Sequence, residues 1–432
     1  MKFLLTTWGS YGDLHPFLSL ARELQQRGHE VALATMAVWE AKVREAGIPY
    51  INTGGPASFD HLNLNPDLFS TKAMGLTSVR VLMRENVAPT FADSAKALLE
   101  AAPSFDCLVA HSFALVAPVV VEKTGIPLIS VSLAPGVIPS AYSMPAGAYL
   151  RPFRGIVGRW INRGVWTLGR AVIASVVDPL VNEFRATHGL KPLRDAMFMS
   201  PSDELHLQLY SSAYAPREPD WPASLVQTGF CFWDEDDLWT PPVELQQFLD
   251  AGEKPLLFTL GSSAVFFPEN FYEEAVRMLE RTGRRAVLLL GRDENRPQIT
   301  SKNVFVLNYA PYTWIMPRCS AVAHQCGIGT ISHVLRAGLP SILCPYAFDQ
   351  PNNAMRVQTL GAGVLLKRHR RSARDFEEAI QKLDADPSYR KNARRIAERL
   401  SLENGPMGAV DRLERFAGKK NALNSVAKTA VA

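Results

Sequence analysis

The chain alternates two kinds of apolar pattern. Short apolar runs, "KFLLTTW", "EVALATM", "DCLVAH" and "PLISVSL", stop at glycine, proline or polar residues, as buried strands do. Between the first two stands "PFLSLARELQQRG", with helical spacing and a glycine stop, and between the later two the apolar run "ALVAPVVVEKTG". Strand, helix, strand in this order predicts a parallel sheet covered by helices. The acidic, aromatic and proline-bearing stretch "GFCFWDEDDLWTPP", Gly229–Pro242, interrupts the pattern, which then restarts with "PLLFTLGSS", a helical "NFYEEAVRMLERTG", "RAVLLLG", "NVFVLNYAP", "AVAHQCG", "SHVLRAGLP" and "SILCP". The expectation is an α/β chain of two doubly wound, Rossmann-like domains, 1–228 and 244–418, joined by a linker 229–243 and followed by a disordered tail 419–432.

One segment departs from the alternation. From Arg151 to Val177 the spacing is helical, with Val157, Trp160, Ile161, Val165, Leu168, Val172 and Val176 on one stripe and Arg159, Arg163 and Arg170 on the other side. Such a helix packs on its own domain or lies on a membrane, and at most weak membrane-surface contact through 151–177 is expected.

Composition narrows the class. At 432 residues, 47% hydrophobic and 20% charged, the chain has the make-up of a folded, multidomain protein. A net charge of +4, with basic residues dispersed apart from Lys367–Arg374, argues against nucleic acid as a partner. Cys107, Cys231, Cys319, Cys326 and Cys344 are odd in number and never form a CxxC pair, so neither a disulfide framework nor a zinc site is indicated. The N-terminus reads as a first strand and not as a signal peptide, and no uninterrupted apolar stretch reaches the roughly 18 residues of a membrane span. A cytoplasmic protein, at most peripheral at the inner membrane face, is the expectation.

The stretch "AHQCGIGTISHVLRAGLP", Ala323–Pro340, runs from a strand through Gly327 and Gly329 into a helix opened by Thr330 and Ile331. Glycines there let an anion approach free N–H groups at the positive end of the helix. A dinucleotide fingerprint also places glycines between strand and helix, with an acid about 20 residues on, where Asp349 stands. The third glycine is missing, however, with Ser332 in its place, and Asp349 sits in a loop; a dehydrogenase is a distant reading.

The segment His324–Val364, "HQCGIGTISHVLRAGLPSILCPYAFDQPNNAMRVQTLGAGV", resembles the donor-binding signature of nucleotide-sugar glycosyltransferases, a family that includes plant glucosyltransferases, antibiotic glycosyltransferases and rhamnosyltransferases. "GSYGDLHPFLSLARELQQRGHEV", Gly9–Val31, resembles its opening, and "FTLGSS", "YAPY" and "EPDWP" extend the likeness over nearly the whole chain. The resemblance implies the GT-B fold, two Rossmann-like domains facing across a cleft, with acceptor binding in the first and donor binding in the second. It implies that Gly327, Ile328, Gly329 and Thr330, with Ser262, Ser263 and His324, hold the donor diphosphate, that Asp349 and Gln350 grip the sugar, and that Tyr309 and Tyr312 meet the nucleobase. Gln325 stands where plant members carry a histidine.

The acceptor hydroxyl must lose its proton, and the resemblance puts Asp13 of "GDLHP" in the place of the base. The alternative is that Asp13 merely caps its helix. His111, in "VAHSF", is read as its partner in an inverted Asp–His pair, with the alternative of a packed histidine at a strand end. The implied reaction is an inverting, metal-independent transfer of a glucose- or rhamnose-type hexose from a UDP- or dTDP-sugar, a co-substrate, with no cofactor, to a hydroxyl of a hydrophobic acceptor. The carboxylates of Asp234–Asp236 and Asp384–Asp386 read as solvated runs and not as metal ligands. A non-catalytic nucleotide-sugar-binding partner of another transferase is the second reading.

Overall fold

The computed structural model describes residues 1–56, 65–69, 75–198, 204–234 and 239–431, of which 421–431 as backbone alone. The first sheet has seven strands: β1 (Lys2–Thr6), β2 (Glu30–Thr35), β3 (Tyr50–Asn52), β4 (Cys107–His111), β5 (Leu128–Ser132), β6 (His206–Gln208) and β7 (Leu225–Gln227). The second has six: β8 (Leu256–Thr259), β9 (Ala286–Leu289), β10 (Val304–Leu307), β11 (Ala321–His324), β12 (Ser341–Leu343) and β13 (Gly363–Leu365). Their spatial orders are β3-β2-β1-β4-β5-β6-β7 and β10-β9-β8-β11-β12-β13, with every pairing parallel. Both are doubly wound. In each, the strand order reverses between two neighbours, β1 and β4 or β8 and β11, and open α/β sheets bind ligands at the carboxyl ends of such pairs.

The strands are apolar because both faces are covered. Every residue of β4, β5 and β8 is buried, as the uninterrupted runs in the sequence predict. The expected "NFYEEAVRMLERTG" helix forms over Phe271–Thr282 and stops at Gly283, left-handed at φ 67°.

The domain limits need one correction. The last helix, Gly405–Val431, leaves the second domain and packs on the first: Ala409, Val410, Leu413 and Ala417 join the core around Phe3, Leu5 and Leu33. Arg27 donates to Asp411 at 2.6 Å and to Glu414 at 3.0 Å, and His29 Nε2 lies 2.8 Å from the other Glu414 oxygen. Residues 405–417, assigned by chain order to the second domain, thus belong by packing to the first, and the backbone of 419–431, read as a tail, continues the helix. The apolar stripe decides the partner, and chain order does not.

Candidate active site

Asp13 sits in the first turn of the helix Tyr11–Gln26, which follows β1 through the turn Trp8–Ser10. Its Oδ2 accepts the Ser10 backbone N–H at 2.8 Å and lies 3.3 Å from Ser10 Oγ. Gly9 makes this turn possible: its φ is +134°, and a Cβ there would stand 2.2 Å from Asp13 Oδ2. Asp13 therefore does cap its helix, as the bland reading had it, but with one oxygen. Oδ1 is directed elsewhere, 4.0 Å from Nε2 of His111 at the end of β4.

That distance is too long for a hydrogen bond, so the two side chains are neighbours without a direct bond. His111 is 4% exposed, and burial pushes its pKa down to about 4, against a hydrogen bond to the Trp8 backbone that favours the charged form. It is neutral at pH 7. Burial pushes Asp13 up to about 7, opposed by the Ser10 N–H and reinforced by the charge of Asp349. A carboxylate titrating there can take a proton at neutral pH.

Asp349 comes from the second domain. It precedes the helix Gln350–Thr359, accepts from Asn353 Nδ2 at 2.7 Å, and is raised by burial to about 6. The Gln350 side-chain oxygen accepts the N–H groups of Tyr346 and Ala347 at 2.8 and 3.2 Å. This clamps the loop that presents Asp349, and Gln350 still lines the cleft. Phe348, just before, is held at φ 58°, and Cys326 at φ 70°. Left-handed conformations at non-glycine residues cost energy and persist where surrounding structure enforces them, often at functional sites.

Gly327 precedes the helix Ile328–Arg336, whose first N–H groups are open to the cleft. Ile328 takes part through its backbone, for its side chain packs into the cores on either side. Gly329 faces Gly12: a Cβ added to Gly329 would stand 3.4 Å from Gly12 Cα. The starts of two helices, one per domain, therefore meet. Ser262 and Ser263, in the turn after β8, complete this wall. All border a cavity of about 660 Å³.

The predicted residues converge with two adjustments. His324 does not reach the cleft. It is fully buried behind it, its Nδ1 accepting the Cys326 N–H at 3.1 Å, and burial lowers its pKa to about 3. As the last residue of β11 it points into the domain, and the next residue, Gln325, buried in the cleft wall, donates to Thr330 Oγ1 at 3.1 Å while its Oε1 has no partner among the described residues. Tyr309 lies half-exposed on the rim, whereas the Tyr312 hydroxyl is engaged with Thr259 Oγ1 at 2.9 Å and its ring packs on His333. Tyr312 braces the cradle from below.

Sequence reasoning passed over Gln325, as a departure from the family pattern, and did not single out His333, Asn308 or Arg292, which also line the cleft. Arg292 stands three residues past the end of β9, and a cation in the turn that follows a strand was the available signal. The apolar stretch 134–153 straps the domains together: Asn352 donates its backbone N–H to Ala146 at 3.1 Å and its side chain to Met144 at 2.9 Å. "EPDWP" holds the base of that strap, with Asp220 accepting from Ser140 and Ala141. The apolar wall comes from Trp8, Met36, Leu68, Phe69 and Phe113. Of the acidic runs, Asp234 is paired by both Arg336 Nη atoms, Asp384 by Arg284, and 235–236 lie outside the described residues.

Two parallel doubly wound domains, joined face to face so that both strand-reversal points open on one crevice, define the GT-B class of fold. Solved structures agree. The chain overlays the glycotransferase of kitacinnamycin with a TM-score of 0.71 at 22% identity, covering 96% of this chain and 98% of that one. It overlays the spinosyn rhamnosyltransferase complexed with thymidine diphosphate with a TM-score of 0.67 at 18% identity, over 96% and 100%. Residues 3–143 match the family described as glycosyltransferase family 28 N-terminal domain, and residues 286–416 the erythromycin biosynthesis protein CIII-like C-terminal domain. In sequence the chain is 31% identical to the O-mycaminosyltylonolide 6-deoxyallosyltransferase of Streptomyces fradiae, over 98% of this chain and 100% of that protein. It is 28% identical to a sterol 3-beta-glucosyltransferase of Arabidopsis thaliana, over 95% of this chain but 64% of that longer protein. The chain belongs to the GT-B nucleotide-sugar-dependent glycosyltransferases, and it is an enzyme, a hexosyltransferase.

Proposed function

We propose that this enzyme transfers a hexose of the glucose or rhamnose type from a UDP- or dTDP-sugar to a hydroxyl of a hydrophobic small molecule or lipid, in one displacement with inversion and without a metal ion. The observation that carries the reading is the meeting of Asp13, from the first domain, with the helix start at Gly327–Thr330 and Asp349, from the second, in one crevice. The acceptor oxygen attacks the anomeric carbon as the bond to the diphosphate breaks, and the acceptor proton goes to Asp13. The negative charge gathering on the leaving diphosphate meets the N–H groups at the helix start, Gln325, Ser262 and Ser263. Such a cradle supplies the stabilisation a divalent cation would otherwise give. Asp349 accepts hydrogen bonds from sugar hydroxyls, with the Gln350 amide beside it.

The aromatic and aliphatic wall around Phe69 and Phe113 supports an apolar acceptor. The names of the relatives, an O-mycaminosyltylonolide 6-deoxyallosyltransferase and a sterol 3-beta-glucosyltransferase, are in keeping with that class. Family membership and Asp13 beside Asp349 both weigh against a non-catalytic nucleotide-sugar binder. A thermal-shift panel of UDP-, dTDP- and GDP-sugars tests the donor: specific binding raises the melting temperature with one nucleotide series, and no shift with any member would contradict the reading.

A further inference from the structure

Of the thirteen large apolar side chains exposed among the described residues, eight lie between Tyr149 and Leu168, so their exposure is a patch and not scatter. Val157, Ile156 and Trp160 are the most open, at 73%, 69% and 67%. They stand on the first half of the helix Gly155–Thr187, whose opposite face is pinned down. Asn162 donates to the carbonyls of Ala141 and Phe153 at 2.8 and 3.0 Å, and Trp166 Nε1 to that of Ser143 at 2.9 Å. The outward face is therefore fixed in place, and among the described residues none covers it.

Charge gives the face a direction. Arg151, Arg154, Arg159, Arg163 and Arg170 fall in the stretch Arg151–Val177, which contains no acidic residue. Arg170 is paired with Asp195, and among the described residues the other four have no carboxylate partner. By length and composition the helix is also able to cross a bilayer. It cannot do so in this fold, because Val176, Val177, Val181 and Arg185 in its second half are buried in the first domain.

We propose that this face docks on a bilayer surface that carries anionic phospholipid. Ile156, Val157 and Trp160 enter the interfacial layer, while the arginines, whose long side chains reach past the apolar stripe, meet the phosphates. A second copy of the chain is the poorer occupant, since a two-fold contact would set the same arginines against one another.

The test is flotation of the full-length enzyme with vesicles of phosphatidylcholine alone and of phosphatidylcholine mixed with phosphatidylglycerol, at low and high salt. The protein should float with the mixed vesicles and at least about tenfold less with the neutral ones or at high salt. The V157E/W160E double variant should lose flotation, and R154E/R163E should lose its salt-sensitive part, with melting temperature and turnover on a water-soluble acceptor unchanged. Absence of wild-type flotation, or flotation of both variants at the wild-type level, would overturn the proposal. So would light scattering that shows a wild-type dimer, dissociated by V157E/W160E, that binds neither vesicle.

Discussion

Gly12 and Gly329 meet across the crevice at contact distance, a Cβ on Gly329 standing 3.4 Å from Gly12 Cα. Their closeness sets the distance between the proposed base on one helix and the proposed phosphate cradle on the other. Catalysis by positioning is steep in distance, and an error of about 1 Å can cost about a hundredfold.

A graded series at Gly329 should follow. Gly329→Ala fits at ordinary contact distance and should keep most turnover. Gly329→Leu should prop the helices apart and lower kcat roughly a hundredfold or more with a smaller effect on melting temperature. Steady-state kinetics beside thermal melts would separate the two.

Asp13 should weaken the fold it serves. Its folded-state pKa, about 7, lies above the ordinary 3.8, so the ionised form is worse accommodated in the folded chain than in the unfolded one. The penalty is absent below the unfolded pKa, grows as pH rises, and is complete above the folded pKa. At pH 8 Asp13→Asn, which still accepts the Ser10 N–H, should melt roughly 3 °C above wild type, and the gain should vanish near pH 4. A variant no more stable at pH 8 than at pH 4, each relative to wild type, would contradict the burial argument.

His111 should show itself in the pH profile. For wild type, kcat/KM should fall on the acid side with an inflection near pH 7, where Asp13 becomes protonated. His111→Ala lets water beside Asp13 Oδ1, easing its desolvation, so the inflection should move to lower pH and kcat should drop roughly tenfold. A merely packed histidine would lower stability and leave the inflection where it was.

Gln325 and His324 give opposite expectations. Gln325→Ala removes a cleft amide and should weaken donor binding roughly tenfold. His324→Ala empties a buried site and should lower the melting temperature, with the donor Kd changed less than about threefold, as calorimetry of the nucleotide sugar would show.

The pair also marks where legibility in the sequence ends. The strands β1, β4, β8, β11 and β12 were legible because a sheet buried on both faces demands uninterrupted apolar runs, and the Asp13, Gly327–Thr330 and Asp349 loops because they follow β1, β11 and β12. Which of two adjacent residues faces the cleft depends on how β11 ends in the strained turn at Cys326, φ 70°, and spacing alone does not reveal that. Nor does it reveal where 405–417 packs, since an apolar stripe does not name its partner. The strap at 134–153 is hidden for a related reason: its apolar residues serve the contact between domains, and those of a binding wall look the same in sequence.

The most direct test compares donor binding with turnover in Asp13→Asn. If the carboxylate is the base facing a donor held by the other domain, Kd for the nucleotide sugar should stay within about threefold of wild type while kcat falls about a thousandfold, within the usual range for loss of a general base. Turnover close to wild type, with the donor bound as tightly, would contradict the account.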